Sequence, residues 1–119
     1  KKYTHEIKNN NSICGDEITI KLLIKNKIIK NIGYDCNSCV FCQASINLLS
    51  KKIIKMNTDN TINLCDEVIN FYVSKERKIT KKMSFLKKIF TEDNFSRKEC
   101  LLLPFETLIK GLRSENGKN

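Results

Sequence analysis

The hydrophobic period changes once along this chain. Ile18, Ile20 and Leu22 alternate with Glu17, Thr19 and Lys21, the two-residue period of a strand with one buried face. After Cys42, apolar residues recur at helical spacing instead: Ile46, Leu49 and Ile53, then Ile62, Cys65, Ile69 and Tyr72, then Phe105, Leu108, Ile109 and Leu112. Strands followed by helices predict an α+β fold, a small antiparallel sheet of about three strands packed against helices. The expected strands are a short edge strand over Tyr3 to Lys8, then Glu17 to Lys25 and Ile28 to Tyr34, the last two joined as a hairpin across Asn26-Lys27. The expected helices start near Cys42, after a cap within Asp59 to Thr61, and with Pro104 in the first turn of the last one. Leu86, Ile89 and Phe90 suggest a further short basic helix.

With 119 residues the chain fits one domain, 1–119, large enough for a modest core without staples. Hydrophobic residues at 40% and charged residues at 29% exclude a disordered or fibrous class. The longest apolar runs, such as Leu101 to Phe105, are far short of a membrane span. No charged, apolar, then small-residue order opens the chain, so no secretory signal is expected. A cytoplasmic chain with no membrane partner follows as the expectation. The net charge of +9, from 22 basic and 13 acidic residues, would suit an anionic partner. The lysines are scattered, however, arginine is confined to Arg77, Arg97 and Arg113, and few aromatics interleave, so no nucleic-acid partner is expected. There is no phosphate loop, dinucleotide fingerprint or Ser-His-Asp set.

The chemistry lies in six cysteines: Cys14, Cys36, Cys39, Cys42, Cys65 and Cys100. Without an export signal, such a set points to metal binding or catalysis rather than disulfides. Cys36, Cys39 and Cys42 make the loudest local pattern, C-x₂-C-x₂-C, which resembles the start of a ferredoxin cluster run. That run needs a further C-x₃-C-P, and Cys42 is followed by Gln43-Ala44-Ser45. A zinc ribbon would need a second C-x₂-C pair, and Cys65 and Cys100 are solitary. Cys65 falls on an apolar helix face and reads as a small core hydrophobe. Cys14, Cys39 and Cys100 each sit at an element junction. Gly15 permits a tight bend that turns Cys14 and Asp16 to one side, while Cys39 and Cys100 precede helices whose N-termini favour thiolate. Three thiolates and the Asp16 carboxylate would complete a tetrahedral zinc shell, and soft thiolates equally suit an iron–sulfur cluster. A carboxylate among thiolates weakens the hold on either cargo, as a site that must release or exchange it requires. Asp16 could instead close an Asx turn.

Three motifs in order resemble the U-type iron–sulfur cluster assembly proteins, the group of IscU, SufU and the N-terminal domain of NifU. They are Cys14-Gly15-Asp16 before a hairpin, Cys39 ahead of Ala44-Ser45 at the opening of a helix, and Arg97-Lys98-Glu99-Cys100-Leu101-Leu102-Leu103 before an amphipathic helix. The likeness covers nearly the whole chain. The long stretch between Cys39 and Cys100, including Met83 to Phe90, and Glu99 in place of the His of IscU, make the SufU branch the nearer one.

The resemblance implies that Cys14, Asp16, Cys39 and Cys100 bind Zn²⁺ or a [2Fe–2S] cluster. It further implies that a cysteine desulfurase delivers persulfide sulfur, with Cys14 and Cys100 as candidate acceptors and Arg97 as support. Downstream apo iron–sulfur proteins or carriers would receive the product. The function expected is a scaffold or sulfur-relay protein. The alternatives are a zinc-dependent sulfurtransferase that builds no cluster, and a structural zinc module that binds another protein. The chain departs from the pattern at Cys36, where the family has Gly, and at Cys42, where it has Ser. Each is either drift in a tight bend or an accessory thiol that could hold iron, form a disulfide with Cys39 or accept sulfur.

Overall fold

The computed structural model describes residues 2–11 and 15–117 of the chain. Three strands, β1 (His5–Asn11), β2 (Asp16–Lys25) and β3 (Ile28–Asn37), form an antiparallel sheet in the order β1-β2-β3. The helices α1 (Val40–Ile53), α2 (Thr58–Ile69) and α3 (Lys98–Gly117) follow, with two 3₁₀ turns, Ser84–Leu86 and Glu92–Arg97, ahead of α3. The α+β expectation therefore stands.

On β2 the alternation buries Asp16, Ile18, Ile20 and Leu22 and exposes Glu17 and Lys21. Helices cover that buried face, α3 against β1 and β2 and α1 against β3. Asn26 and Lys27 both take left-handed backbone, φ 54° and 63°, as a two-residue hairpin turn whose twist matches its strands requires. Gly15 does likewise at φ 73° where the chain enters β2. The apolar faces expected on α1 (Ile46, Leu49, Ile53) and on α3 (Phe105, Leu108, Ile109, Leu112) are all buried. Gly111 lets α3 lie directly on β1: a Cβ there would come within 2.3 Å of Ile7 Cδ1.

Several boundaries differ from expectation. The edge strand runs to Asn11 rather than Lys8, because Lys8 to Asn11 continue the ladder as far as Asp16. β3 likewise continues to Asn37, pairing Cys36 with Ile18. The cap of α2 is Asn57, whose side chain accepts from the Asn60 N–H at 2.7 Å, not a residue within Asp59 to Thr61. The basic segment around Leu86 is only a 3₁₀ turn, held by the side chains of Met83, Leu86 and Phe90 in the core. Phe90 meets Phe71 and Phe105 edge-to-face at 5.8 and 6.0 Å, tying this stretch to α3. Pro104 lies inside α3, not in its first turn. The helix begins six residues earlier than the proline suggests, because Cys100, Leu101, Leu102 and Leu103 are themselves core residues.

Candidate metal centre

Three segments remote in sequence meet where β2 starts, α1 starts and α3 starts. Asp16 is the first residue of β2 and points inward, at 3% exposure. Cys39 is the residue before α1, with no side-chain cap of its own. The Asp16 carboxylate supplies what that helix end lacks: Oδ1 accepts the Cys39 N–H at 3.1 Å, and Oδ2 lies 3.7 Å from Cys39 Sγ. Cys100 stands in the first turn of α3, fully buried, so its thiol faces the same junction from inside the molecule. One ligand atom from each of Asp16, Cys39 and Cys100 lies within 4.8 Å of the other two.

That spacing suits a metal. Two sulfurs around zinc at bonds of about 2.3 Å stand ~3.8 Å apart, so closing the group needs shifts of about 1 Å, within the reach of side-chain torsions. Two thiols and a carboxylate are a donor set for zinc or iron. Two helix N-termini place positive dipole ends beside the two sulfurs. Cys14, the fourth expected ligand, lies outside the described residues. Its described neighbours are tied together: Asn11 pairs with Asp16, and the Gly15 N–H donates to the Asn11 carbonyl at 2.7 Å.

A family model for the NifU-like N-terminal domain matches residues 2–90. The chain belongs to that family. Cys100 lies beyond the matched residues, so its membership of the ligand group rests on geometry. An IscU iron–sulfur cluster assembly scaffold protein of Thermotoga maritima is 30% identical over 110 residues, covering 87% of this chain and 72% of its own. An uncharacterized protein of Borreliella burgdorferi is 30% identical over 103 residues, covering 87% and 71%. Two solved structures share the fold. A candidate cluster assembly scaffold of the SUF system from Fervidobacterium islandicum AW-1 matches with a TM-score of 0.85 at 24% identity, over 94% of this chain and 82% of its own. A NifU-like N-terminal protein from Brucella abortus matches with a TM-score of 0.84 at 17% identity, over 100% and 83%.

The other expected residues fall around the NifU-like centre without joining it. Cys36 and Cys42, which spacing alone would group with Cys39, pack against each other instead, Sγ to Sγ at 3.6 Å. Burial pushes the Cys42 thiol up from an ordinary 9.0 to about 12; the Ser38 hydroxyl opposes the rise, and the charges of Cys36 and Asp16 add to it. Cys65 is a core residue, as its helical position predicts, and burial drives its thiol far above the ordinary range. Arg97 sits over the Phe41 ring, 5.4 Å from its centroid, joining the approach to α3 to the first turn of α1. His5 pairs with Leu22, at the opposite end of β2 from Asp16.

Two residues gain a role that their sequence context did not reveal. The Ser38 hydroxyl hydrogen-bonds Cys36 Sγ. Ser45, fully buried on α1, donates to the Leu101 carbonyl at 2.6 Å and so locks α1 to α3 one residue beyond Cys100. The Ala44-Ser45 pair was visible as part of a motif, but the long-range partner of its hydroxyl was not. Among the described residues, no helix is long and apolar enough to cross a membrane.

Proposed function

We propose that this chain is an iron–sulfur cluster assembly scaffold that receives sulfur from a cysteine desulfurase at a site of Cys14, Asp16, Cys39 and Cys100. The convergence of Asp16, Cys39 and Cys100 within 4.8 Å carries the reading. Membership of the NifU-like family and the similarity to the Thermotoga maritima scaffold support it. Zn²⁺ or a [2Fe–2S] cluster is the cargo, held by thiolates and released through the weakest ligand, Asp16. Cys14 and Cys100 are the acceptors proposed for incoming sulfur, and Arg97 steadies the neighbouring helix start. Downstream apo iron–sulfur proteins or carriers take the product.

The test is anaerobic purification followed by incubation with iron, cysteine and a cysteine desulfurase. The expected outcome is iron and sulfide in equal amounts, with visible charge-transfer absorption that Cys39→Ser and Cys100→Ser abolish. Asp16→Ala should leave a folded protein whose cluster persists longer than the wild type's. A protein that keeps only tight zinc and gains no such absorption would replace the scaffold by a zinc-held sulfur relay. Loss of folding in Asp16→Ala, restored by zinc, would favour a structural module instead.

A further inference from the structure

Cys36 and Cys42 are free thiols and, among the described residues, stand outside the ligand group of Asp16, Cys39 and Cys100. Cys36 lies near the end of β3, opposite the buried Ile18 of β2, so its side chain faces the helices. Cys42, the third residue of α1, is fully buried and faces it. Their sulfurs stand at 3.6 Å, and a disulfide needs about 2.0 Å, a closure that rotations about the two side chains can supply. The pair is asymmetric. Cys36 is half-exposed and can meet an outside reagent, whereas Cys42 is sealed from solvent and can meet little except Cys36. The Ser38 hydroxyl hydrogen-bonds Cys36 Sγ and holds it in place at the end of β3. Each of the two lies three positions along the chain from Cys39.

We infer that Cys36 and Cys42 form a two-electron reductant that converts sulfane sulfur into sulfide beside the metal centre. The inference rests on the proposed function in one respect, that sulfur reaches the chain from a persulfide donor. In the first step the Cys36 thiolate attacks the terminal sulfur of a donor R–S–SH; the donor's S–S bond breaks and its electron pair leaves on R–S⁻, giving Cys36–S–SH and R–S⁻. In the second, Cys42 Sγ attacks Cys36 Sγ. The bond from Cys36 to the terminal sulfur breaks, and its electron pair leaves with that sulfur. The Cys42 proton goes with it, so the products are the Cys36–Cys42 disulfide and hydrogen sulfide. The sulfane sulfur is reduced and the two thiols are oxidised, which balances the two electrons. A cellular dithiol then reduces the pair by exchange. This supplies the oxidation level of sulfur that a cluster needs, three residues from Cys39.

The test uses the full metal-free reduced chain with cysteine persulfide as the donor, and the donor alone as background. Hydrogen sulfide is measured, together with peptide masses after thiol alkylation. The expected result is one hydrogen sulfide per chain, a peptide linking Cys36 to Cys42, and release at background in Cys36→Ser. Cys42→Ala, checked for folding by its denaturant midpoint, should stop at the Cys36 persulfide without release. Cobalt binding, read from thiolate charge-transfer bands, should match the wild type in both variants. Wild-type release in Cys36→Ser, a disulfide to Cys39 instead, or a wild-type persulfide that never releases sulfide would each overturn the inference. Failure of the wild type to bind cobalt while sulfide release persists would sink the metal-site reading and leave this one standing.

Discussion

Asp16 does two jobs with one carboxylate, and they can be separated by substitution. It is buried and accepts the Cys39 N–H, and it offers an oxygen to the ligand group. Asp16→Asn keeps an acceptor for the N–H and removes the charge. Asp16→Ala removes both, leaving a buried N–H without its partner at a cost of about 1–3 kcal/mol. Denaturant midpoints of the metal-free protein should therefore fall further for Ala than for Asn, while both weaken zinc binding. Equal midpoints would mean that the Cys39 contact contributes nothing to the fold. The buried thiols carry a separate signature in pH. Cys42 is raised from 9.0 to about 12, and Cys65 also lies well above its ordinary value. Below pH 9 both are protonated folded and unfolded, so neither tilts the equilibrium. Between pH 9 and 12 the unfolded chain releases these protons and the folded chain keeps them. Stability then falls with rising pH, by up to about 1.4 kcal/mol per unit for each thiol. Urea titrations of the reduced, metal-free protein across that range should show this loss, and Cys65→Ala should flatten the slope.

At the scale of elements, the candidate site depends on how α1 and α3 are held together, because each has one candidate ligand cysteine at its start. The Ser45 hydroxyl to the Leu101 carbonyl is a buried bond between them at 2.6 Å. Removing it in Ser45→Ala leaves the helices otherwise packed and should cost about 1 kcal/mol of stability. Zinc affinity should drop as well, since Cys39 and Cys100 lose a fixed separation; an unchanged affinity would show that packing alone sets it. The helices themselves were legible in sequence to different degrees. The apolar faces of α1 and α3 could be read directly, since Ile46, Leu49 and Ile53, or Phe105, Leu108 and Leu112, have no other way to be buried together. The start of α3 could not. Pro104 is most at home in a first turn, but burying Cys100 to Leu103 extends the helix upstream despite the bond that Pro104 cannot donate to the Cys100 carbonyl. Leu86, Ile89 and Phe90 were legible as the apolar face of a short helix, but not as a 3₁₀ turn with Met83, Leu86 and Phe90 in the core, because so short a run of apolar positions fits either conformation.

At the scale of the whole molecule, the site is a bracket between distant parts of the chain: Asp16 enters from the sheet, Cys39 from the sheet-to-helix junction, and Cys100 from the last helix. Junction position and motif order made this grouping legible, whereas cysteine spacing pointed to Cys36, Cys39 and Cys42. Spacing fails because Cys36 and Cys42 turn toward each other while Cys39, as the residue before α1, turns to Asp16. That turn depends on where β3 ends, at Asn37 rather than Tyr34. A metal held by three remote segments binds the folded chain and stabilises it by mass action, about 2.7 kcal/mol at a hundredfold excess over its dissociation constant. For a chain of this size that corresponds to a rise in melting temperature on the order of 10 °C, reduced by whatever the cysteines of the unfolded chain hold. Scanning calorimetry with and without zinc should show the rise in wild type and in Cys36→Ser, and its loss in Cys39→Ser and Cys100→Ser. If Cys36→Ser lost the shift and Cys100→Ser kept it, the metal would sit in the local C-x₂-C-x₂-C cluster, and the bracket would not be the binding site.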